Sequence, residues 1–335
     1  MGDVVQTLPA LTDAAKAIPG IHFDWIVDES FAQVPAWHFR VETVFPSAYR
    51  RWRKNLYQAA KNGEVSEFLN QLRGRSYDLV VDVQGEWKSA TITRLAHGVR
   101  CGYDHSSIHE WGAHFAYQKK YFVPKKKHSI QRMRQLVATA LGYSYVENEV
   151  DYGVDRSRLG SLPLALSEPY LVFVHSASWE SKCWPEVYWQ DLTAKATDAG
   201  FHVVLPWGTE GEYHRALRIA ARQSKVVVLP RLSISEKASI LSHARATVGL
   251  DTGLSHIAAA LDIPSVTIYG ATDPSLVGAT GKHQIHVVSD FECVMCHQER
   301  CTYKKPAEFK PACFVGVRPE RVWLELRNVI NGKIS

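Results

Sequence analysis

Short apolar runs alternate with stretches of helical spacing along most of the chain. Runs at His22–Val27, Val41–Phe45, Leu79–Val83, Tyr170–His175, His202–Pro206, Val226–Leu229, Ala246–Leu250, Ser265–Tyr269 and Gln284–Val288 predict strands. Several are short, β-branched and unbroken by charge, as expected of parallel strands covered on both faces. Helical periodicity fills the intervals at Val4–Ala17, Val187–Ala199, Glu210–Gln223, Ile234–His243 and Ser255–Leu261. Repeated β-then-α order implies parallel sheets with right-handed crossovers, an α/β fold.

The pattern runs twice, over about the first 150 residues and again from about residue 168. Between them Arg156–Pro169, rich in Leu, Ser and Pro, lacks periodicity and reads as a linker. Two Rossmann-like, doubly wound domains facing across a cleft are expected. Their bounds are 1–155 and 170–316, with the linker at 156–169 and a C-terminal helix within 317–335 packing back on the first domain. Met1-Gly2-Asp3 runs straight into the first helix, whereas a parallel domain ordinarily opens on a strand. Either the numbered chain lacks its first strand or this domain starts unusually.

Composition narrows the function class. The 335 residues are 46% hydrophobic and 22% charged, a globular balance rather than a disordered one. Mean hydropathy is −0.19 and no apolar run nears the ~18 residues that span a bilayer. Asp3, Asp13, Lys16 and Asp24 interrupt the start, so no signal-peptide pattern is present and the expected compartment is the cytosol. A net charge of +5 is too diffuse to argue for nucleic acid but suits an anionic substrate. Cys101 and Cys183 stand alone.

Candidate chemistry gathers at a few places. In Val248-Gly-Leu-Asp-Thr-Gly-Leu-Ser-His256 an apolar strand ends in a tight turn and a helix begins near Thr252 or Ser255. Such a junction aims free N–H groups and a helix dipole at an anion. It also reads as an ordinary βα turn capped by Asp251. Asp-Thr-Gly marks aspartic proteases as well, but those require an all-β frame. A second loop, His175-Ser-Ala-Ser-Trp-Glu-Ser-Lys-Cys-Trp-Pro185, places Ser176, Ser178 and Lys182 after a strand; Lys182 is a point charge suited to a diphosphate, or a solvated loop lysine. Neither loop is a P-loop or a GxGxxG.

In the first half, Tyr49-Arg-Arg-Trp-Arg-Lys54 carries Arg50, Arg51, Arg53 and Lys54, either a solvated helix face or a grip for something anionic, with Trp52 adding an apolar element. Asp3 opens the first helix as a cap or as a general base. Cys293-x2-Cys296-x4-Cys301-x11-Cys313 leaves structural zinc, free thiols and a local disulfide open.

Taken together, Met1-Gly-Asp with Leu-Pro-Ala-Leu, Arg-Arg-Trp-Arg-Lys, Asp82-Val-Gln-Gly85, Leu205-Pro-Trp-Gly208, Asp251-Thr-Gly-Leu-Ser-His256 and Tyr269-Gly-Ala-Thr-Asp-Pro274 resemble the lipopolysaccharide heptosyltransferases of glycosyltransferase family 9, of the kind that adds the first heptose. The resemblance spans nearly the whole chain in order. It implies a GT-B fold and inverting transfer of L-glycero-D-manno-heptose from ADP-heptose to a 3-deoxy-octulosonate (Kdo) sugar of Kdo-lipid A. No cofactor, no catalytic metal and no nucleic acid partner are implied. The implied place of work is the cytoplasmic face of the inner membrane, on its surface.

Residue by residue, the resemblance makes Asp3 the general base. Ser176, Ser178, Lys182, Trp207, Glu212, Asp251, Thr252, Gly253, Leu254 and His256 fall to the donor, with Lys182 and the Thr252-Gly253 turn on the diphosphate, Glu212 on the ribose and Asp251 on the heptose. Ala177 stands where close relatives carry a hydroxyl. Arg50, Arg51, Arg53 and Lys54 would grip acceptor carboxylates and phosphates. The C-terminal cysteines look more like those of the second-heptose transferases. A nucleotide-sugar epimerase-like enzyme and a zinc-stabilised binding module are the remaining alternatives.

Overall fold

A computed structural model describes residues 1–167, 169–221 and 223–332. Glu168 of the expected linker, Arg222 of the expected helix 210–223, and Lys333, Ile334 and Ser335 lie outside the described residues. The chain divides into two compact units, Asp3–Asp155 and the residues from Arg156 onward, the latter joined by Met1–Gly2.

In the first unit, strand β1 (Phe23–Asp28) pairs in parallel with β2 (Val41–Ser47). A second parallel sheet runs β3 (Ser76–Val81), β4 (His97–Tyr103), β5 (Lys119–Tyr121). Helix Gly2–Ala17 matches the apolar pattern seen in the sequence, with Val5, Leu8, Ala10, Leu11 and Ala14 buried. Strands β4 and β5 and helices Glu64–Arg73, Trp87–Leu95 and Ser129–Leu141 were not expected. For strand β4 the local signal is weak. Strand β4 reads His-Gly-Val-Arg-Cys-Gly-Tyr, and Gly102 is needed because a Cβ there would meet the Tyr117 ring at 2.3 Å. What holds β4 is its place between two partners, a tertiary fact.

The second unit is a six-stranded parallel sheet. Its strands are β6 (Tyr170–Val174), β7 (His202–Leu205), β8 (Val226–Val228), β9 (Ala246–Leu250), β10 (Ser265–Tyr269) and β11 (Gln284–Val288). They lie in the order β11-β10-β9-β6-β7-β8. Counted within the unit from β8, that is 3-2-1-4-5-6, a doubly wound sheet whose order reverses between β6 and β9. Every residue of β6, β9 and β10 is buried, which explains their uninterrupted apolar character.

Both segments at the bounds of the second unit are ordered within it. Val322, Leu326 and Val329 of helix Pro319–Ile330 lie one to two turns apart on one face, and that face fills the core around Leu171, Trp189 and Val266. The expected linker is ordered where it starts. Arg156–Leu159 is a short 3-10 turn with Leu159 buried, and the Arg156 guanidinium donates to the Leu261 carbonyl. Among the described residues, no helix is long and apolar enough to cross a membrane.

Candidate active site

The sheet order decides what meets at the site. Strands β6 and β9 are hydrogen-bonded neighbours, with Val174 opposite Gly249. The loop after β6 and the turn after β9 therefore leave the same end of the sheet side by side. That end is the reversal point where open α/β sheets hold ligands. Strand β10 flanks β9 on its other side, and Thr272 follows it closely.

Lys182, on the 3-10 turn Glu180–Lys182, places Nζ 2.8 Å from Asp251 Oδ2. Thr272 Oγ1 donates to the same oxygen at 2.7 Å. His256 Nε2 stands 3.6 Å from Asp251 Oδ1, and its buried Nδ1 has no hydrogen-bond partner among the described residues. The Lys182 ammonium also lies 4.5 Å from the centre of the Trp179 ring, at cation–π range. The turn itself is closed by Ser255, whose hydroxyl donates to the Leu250 carbonyl at 2.6 Å. Gly249 makes room for it, since a Cβ there would fall 2.3 Å from Ser255 Oγ.

Asp251 is 8% exposed. Burial pushes its carboxyl up, but the His256 imidazole and the Lys182 ammonium outweigh burial and hold it well below the usual carboxylate range. The carboxylate stays ionised and fixes Lys182 beside the start of helix Gly253–Ala260. Thr252 is that helix's N-cap and its side chain makes no capping bond, so the first amides keep their donors for a ligand. Next to this, His175 is wholly buried; burial and the charge of Arg215 push its imidazole down to about 3, so it is neutral. Ser176 shares a 2.8 Å hydrogen bond with its Nδ1.

The remaining donor candidates scatter more. Ser178 is exposed, and Leu254 is half-buried on the first turn of the helix. Trp207 is buried against Tyr213, its Nε1 donating to the Leu229 carbonyl at 2.5 Å. Glu212 closes a capping box, accepting from the Gly208 and Thr209 amides at 2.6 and 3.1 Å. Thr272 was missed; the signal was its position directly after a buried strand, inside the Tyr269–Pro274 motif.

The basic run is largely neutralised within its own unit. Arg50 pairs with Asp28 at 3.2 Å, and Arg51 bridges Glu29 and Glu64 at 3.1 and 2.7 Å. Only Arg53 and Lys54 are exposed without an ion-pair partner among the described residues. Trp52, read as part of a binding surface, is instead buried: it packs edge-on to Phe68 and donates from Nε1 to Glu64 at 3.1 Å. Asp3 is exposed in the first turn of helix Gly2–Ala17. Its chain neighbour Gly2 lies against His256, since a Cβ on Gly2 would stand 3.2 Å from His256 Cδ2.

Cys293, Cys296, Cys301 and Cys313 do line one small cavity, and all are free thiols. Among the described residues, no three His, Cys, Asp or Glu side chains are arranged to hold a metal ion. Burial, and then the neighbouring cysteines, push the Cys313 thiol up to about 12, so it keeps its proton.

With that geometry in place, the sequence profile of glycosyltransferase family 9 (heptosyltransferase) matches residues 65–307. The chain belongs to glycosyltransferase family 9. A curated lipopolysaccharide heptosyltransferase 1 of Pseudomonas aeruginosa is 45% identical over 340 aligned residues, covering 98% of this chain and 95% of the relative. A solved structure of Escherichia coli heptosyltransferase WaaC with ADP is 44% identical at a TM-score of 0.80, covering 86% of this chain and 90% of that one. Another of the same enzyme, with ADP-2-deoxy-2-fluoro heptose, is 41% identical at a TM-score of 0.78, covering 88% and 94%. This family-9 chain is an α/β glycosyltransferase of GT-B type, and its Lys182–Asp251 constellation stands at the reversal point of its second sheet.

Proposed function

We propose that the chain transfers L-glycero-D-manno-heptose from ADP-heptose to a Kdo residue of Kdo-lipid A, the first-heptose step of lipopolysaccharide core synthesis. The observation that carries this reading is the 45% identity to a heptosyltransferase 1 over 98% of the chain. The site supports it. A lysine, a set of helix-start amides and a hydroxyl-bearing loop suit a nucleotide diphosphate.

In this mechanism the acceptor hydroxyl attacks the anomeric carbon of the heptose as the bond to the diphosphate breaks. Asp3 takes the hydroxyl proton. Lys182 and the amides at Gly253 stabilise the negative charge that gathers on the leaving ADP. Asp251, through its 2.8 Å contact, positions Lys182 and faces the sugar. Arg53 and Lys54, the unpaired cations of the basic run, meet the acceptor's anionic groups. The acceptor is lipid-linked, so the enzyme works peripherally at the cytoplasmic face of the inner membrane.

The test is ADP release from ADP-heptose with Kdo-lipid A, run beside an acceptor already carrying one heptose. Turnover on the first acceptor alone is expected. Turnover on the second alone would reassign the chain to the following transfer step.

A further inference from the structure

Residues 111–127 read Trp-Gly-Ala-His-Phe-Ala-Tyr-Gln-Lys-Lys-Tyr-Phe-Val-Pro-Lys-Lys-Lys, with five lysines and no acidic residue. The whole chain carries a net charge of only +5, so this segment is a strong local concentration. Lys127 is paired with Glu147 at 2.6 Å. Lys119, Lys120, Lys125 and Lys126 are exposed, with no ion-pair partner among the described residues. The nearest preceding carboxylates are engaged by backbone amides: Asp104 accepts from the Ser106 and Ser107 amides, and Glu110 from the Trp87 amide.

The same surface exposes large aromatic side chains. Trp111 is 75% exposed, Phe115 and Phe122 64% and Trp87 54%. Trp87, Trp111 and Phe115 are neighbours by packing. Trp111 meets Phe115 edge-on at 6.3 Å, His114 lies 4.2 Å from Phe115, and a Cβ at Gly112 would touch the Trp87 ring at 2.6 Å. Lys119 and Lys120 lie on β5, the edge of its sheet, and Phe122 follows directly. The charge of Lys120 reaches His114, which burial and then that charge push down.

Exposed Trp and Phe on or beside a lysine-rich segment are the chemistry of the interface between water and an anionic bilayer, where rings enter the headgroup layer and ammonium groups pair with lipid phosphates. A second copy of this chain is a poor occupant, because two such lysine clusters repel. We propose that this face, built on Trp87, Trp111, Phe115 and Phe122 with Lys119, Lys120, Lys125 and Lys126, docks the protein on an anionic phospholipid surface. The inference deepens the peripheral placement given above and rests on that reading. It adds which surface lies on the membrane.

The test uses the full chain, with neither donor nor acceptor, sedimented with vesicles of phosphatidylcholine alone or mixed with phosphatidylglycerol. Binding to the mixed vesicles, weakening with salt, is expected. The K119Q/K120Q/K125Q/K126Q variant should partition on the order of a hundredfold less. W111S/F115S should lose about tenfold and the vesicle-induced blue shift of tryptophan emission. Thermal unfolding should be unchanged in both, since all six side chains are exposed. Equal binding to phosphatidylcholine alone, or variants that bind like the parent, would overturn the proposal. So would a dimer lost in W111S/F115S without vesicle binding, or retention by single-stranded RNA in place of vesicles. Transfer to detergent-dispersed Kdo-lipid A is read separately: transfer without vesicle binding sinks the docking face alone, and vesicle binding without transfer sinks the activity alone.

Discussion

Lys182 Nζ lies 2.8 Å from Asp251 Oδ2, across the junction of two neighbouring strands that are far apart in sequence. The pair is largely buried, with side-chain exposures of 16% and 7%. Removing one partner leaves the other charge without compensation, whereas removing both does not. The two roles of Lys182, holding the loop and meeting a diphosphate, can therefore be separated.

Lys182→Met should destabilise the protein by about 2–4 kcal/mol and lower kcat/KM on the order of a hundredfold or more. The double variant K182M/D251N should regain most of the stability but none of the activity. Denaturant unfolding and ADP titration of the three proteins read the two effects. Recovery of ADP affinity in the double variant would remove Lys182 from the diphosphate site.

Asp3→Asn should lower transfer by about 10²–10⁴-fold while ADP affinity and thermal stability stay at the parent level. The side chain is exposed, so no core contact is lost. Near-normal turnover in this variant would leave the general base to another group.

Within the basic run, Arg53→Ala and Lys54→Ala should raise the KM for Kdo-lipid A several-fold with little change in stability. Arg51→Ala should act the other way round. It opens the Glu29–Arg51–Glu64 network and frees the oxygen that also holds Trp52 Nε1. As a solvent-exposed network its loss should lower stability only slightly. Acceptor kinetics beside thermal melts of the three variants distinguish the roles.

Stability should fall with acid in two windows. The His175 imidazole is pushed down to about 3 from its ordinary 6.5, so between those values the unfolded chain binds a proton that the folded one refuses. Stability is therefore full above about pH 6.5 and declines as pH drops towards 3. The Asp251 carboxyl is depressed by its neighbours, so its contribution is present above the unfolded value near 3.9 and is lost on further acidification. His175→Asn should flatten the first window and leave the second. Urea unfolding at a series of pH values reads both slopes.

How much of this was legible beforehand varies by element. Strands β6, β9 and β10 follow directly from the apolar runs, because strands buried on both faces need unbroken apolar sequence. Strand β4, with two glycines and an arginine, carries no such signal, whereas helices Glu64–Arg73 and Ser129–Leu141 do show apolar residues at helical spacing, Val65, Phe68 and Leu72 in the one and Ile130, Met133 and Val137 in the other. Asp251, Lys182 and the glycine turn stood out as separate motifs, but nothing in their spacing joins residues 69 positions apart. Thr272 entered the site only because β10 lies beside β9.

Sequence by itself determined the α/β class, the two-part organisation, the residue types of a phosphate-facing turn and the family resemblance. These are properties of local periodicity and motif order, which survive without coordinates. Tertiary structure decided which charges are available. Arg50 and Arg51 are spent on Asp28, Glu29 and Glu64, Trp52 is core rather than surface, and Lys182 is held by Asp251. Charge pairing and burial depend on which strands lie side by side, and chain order alone does not specify that.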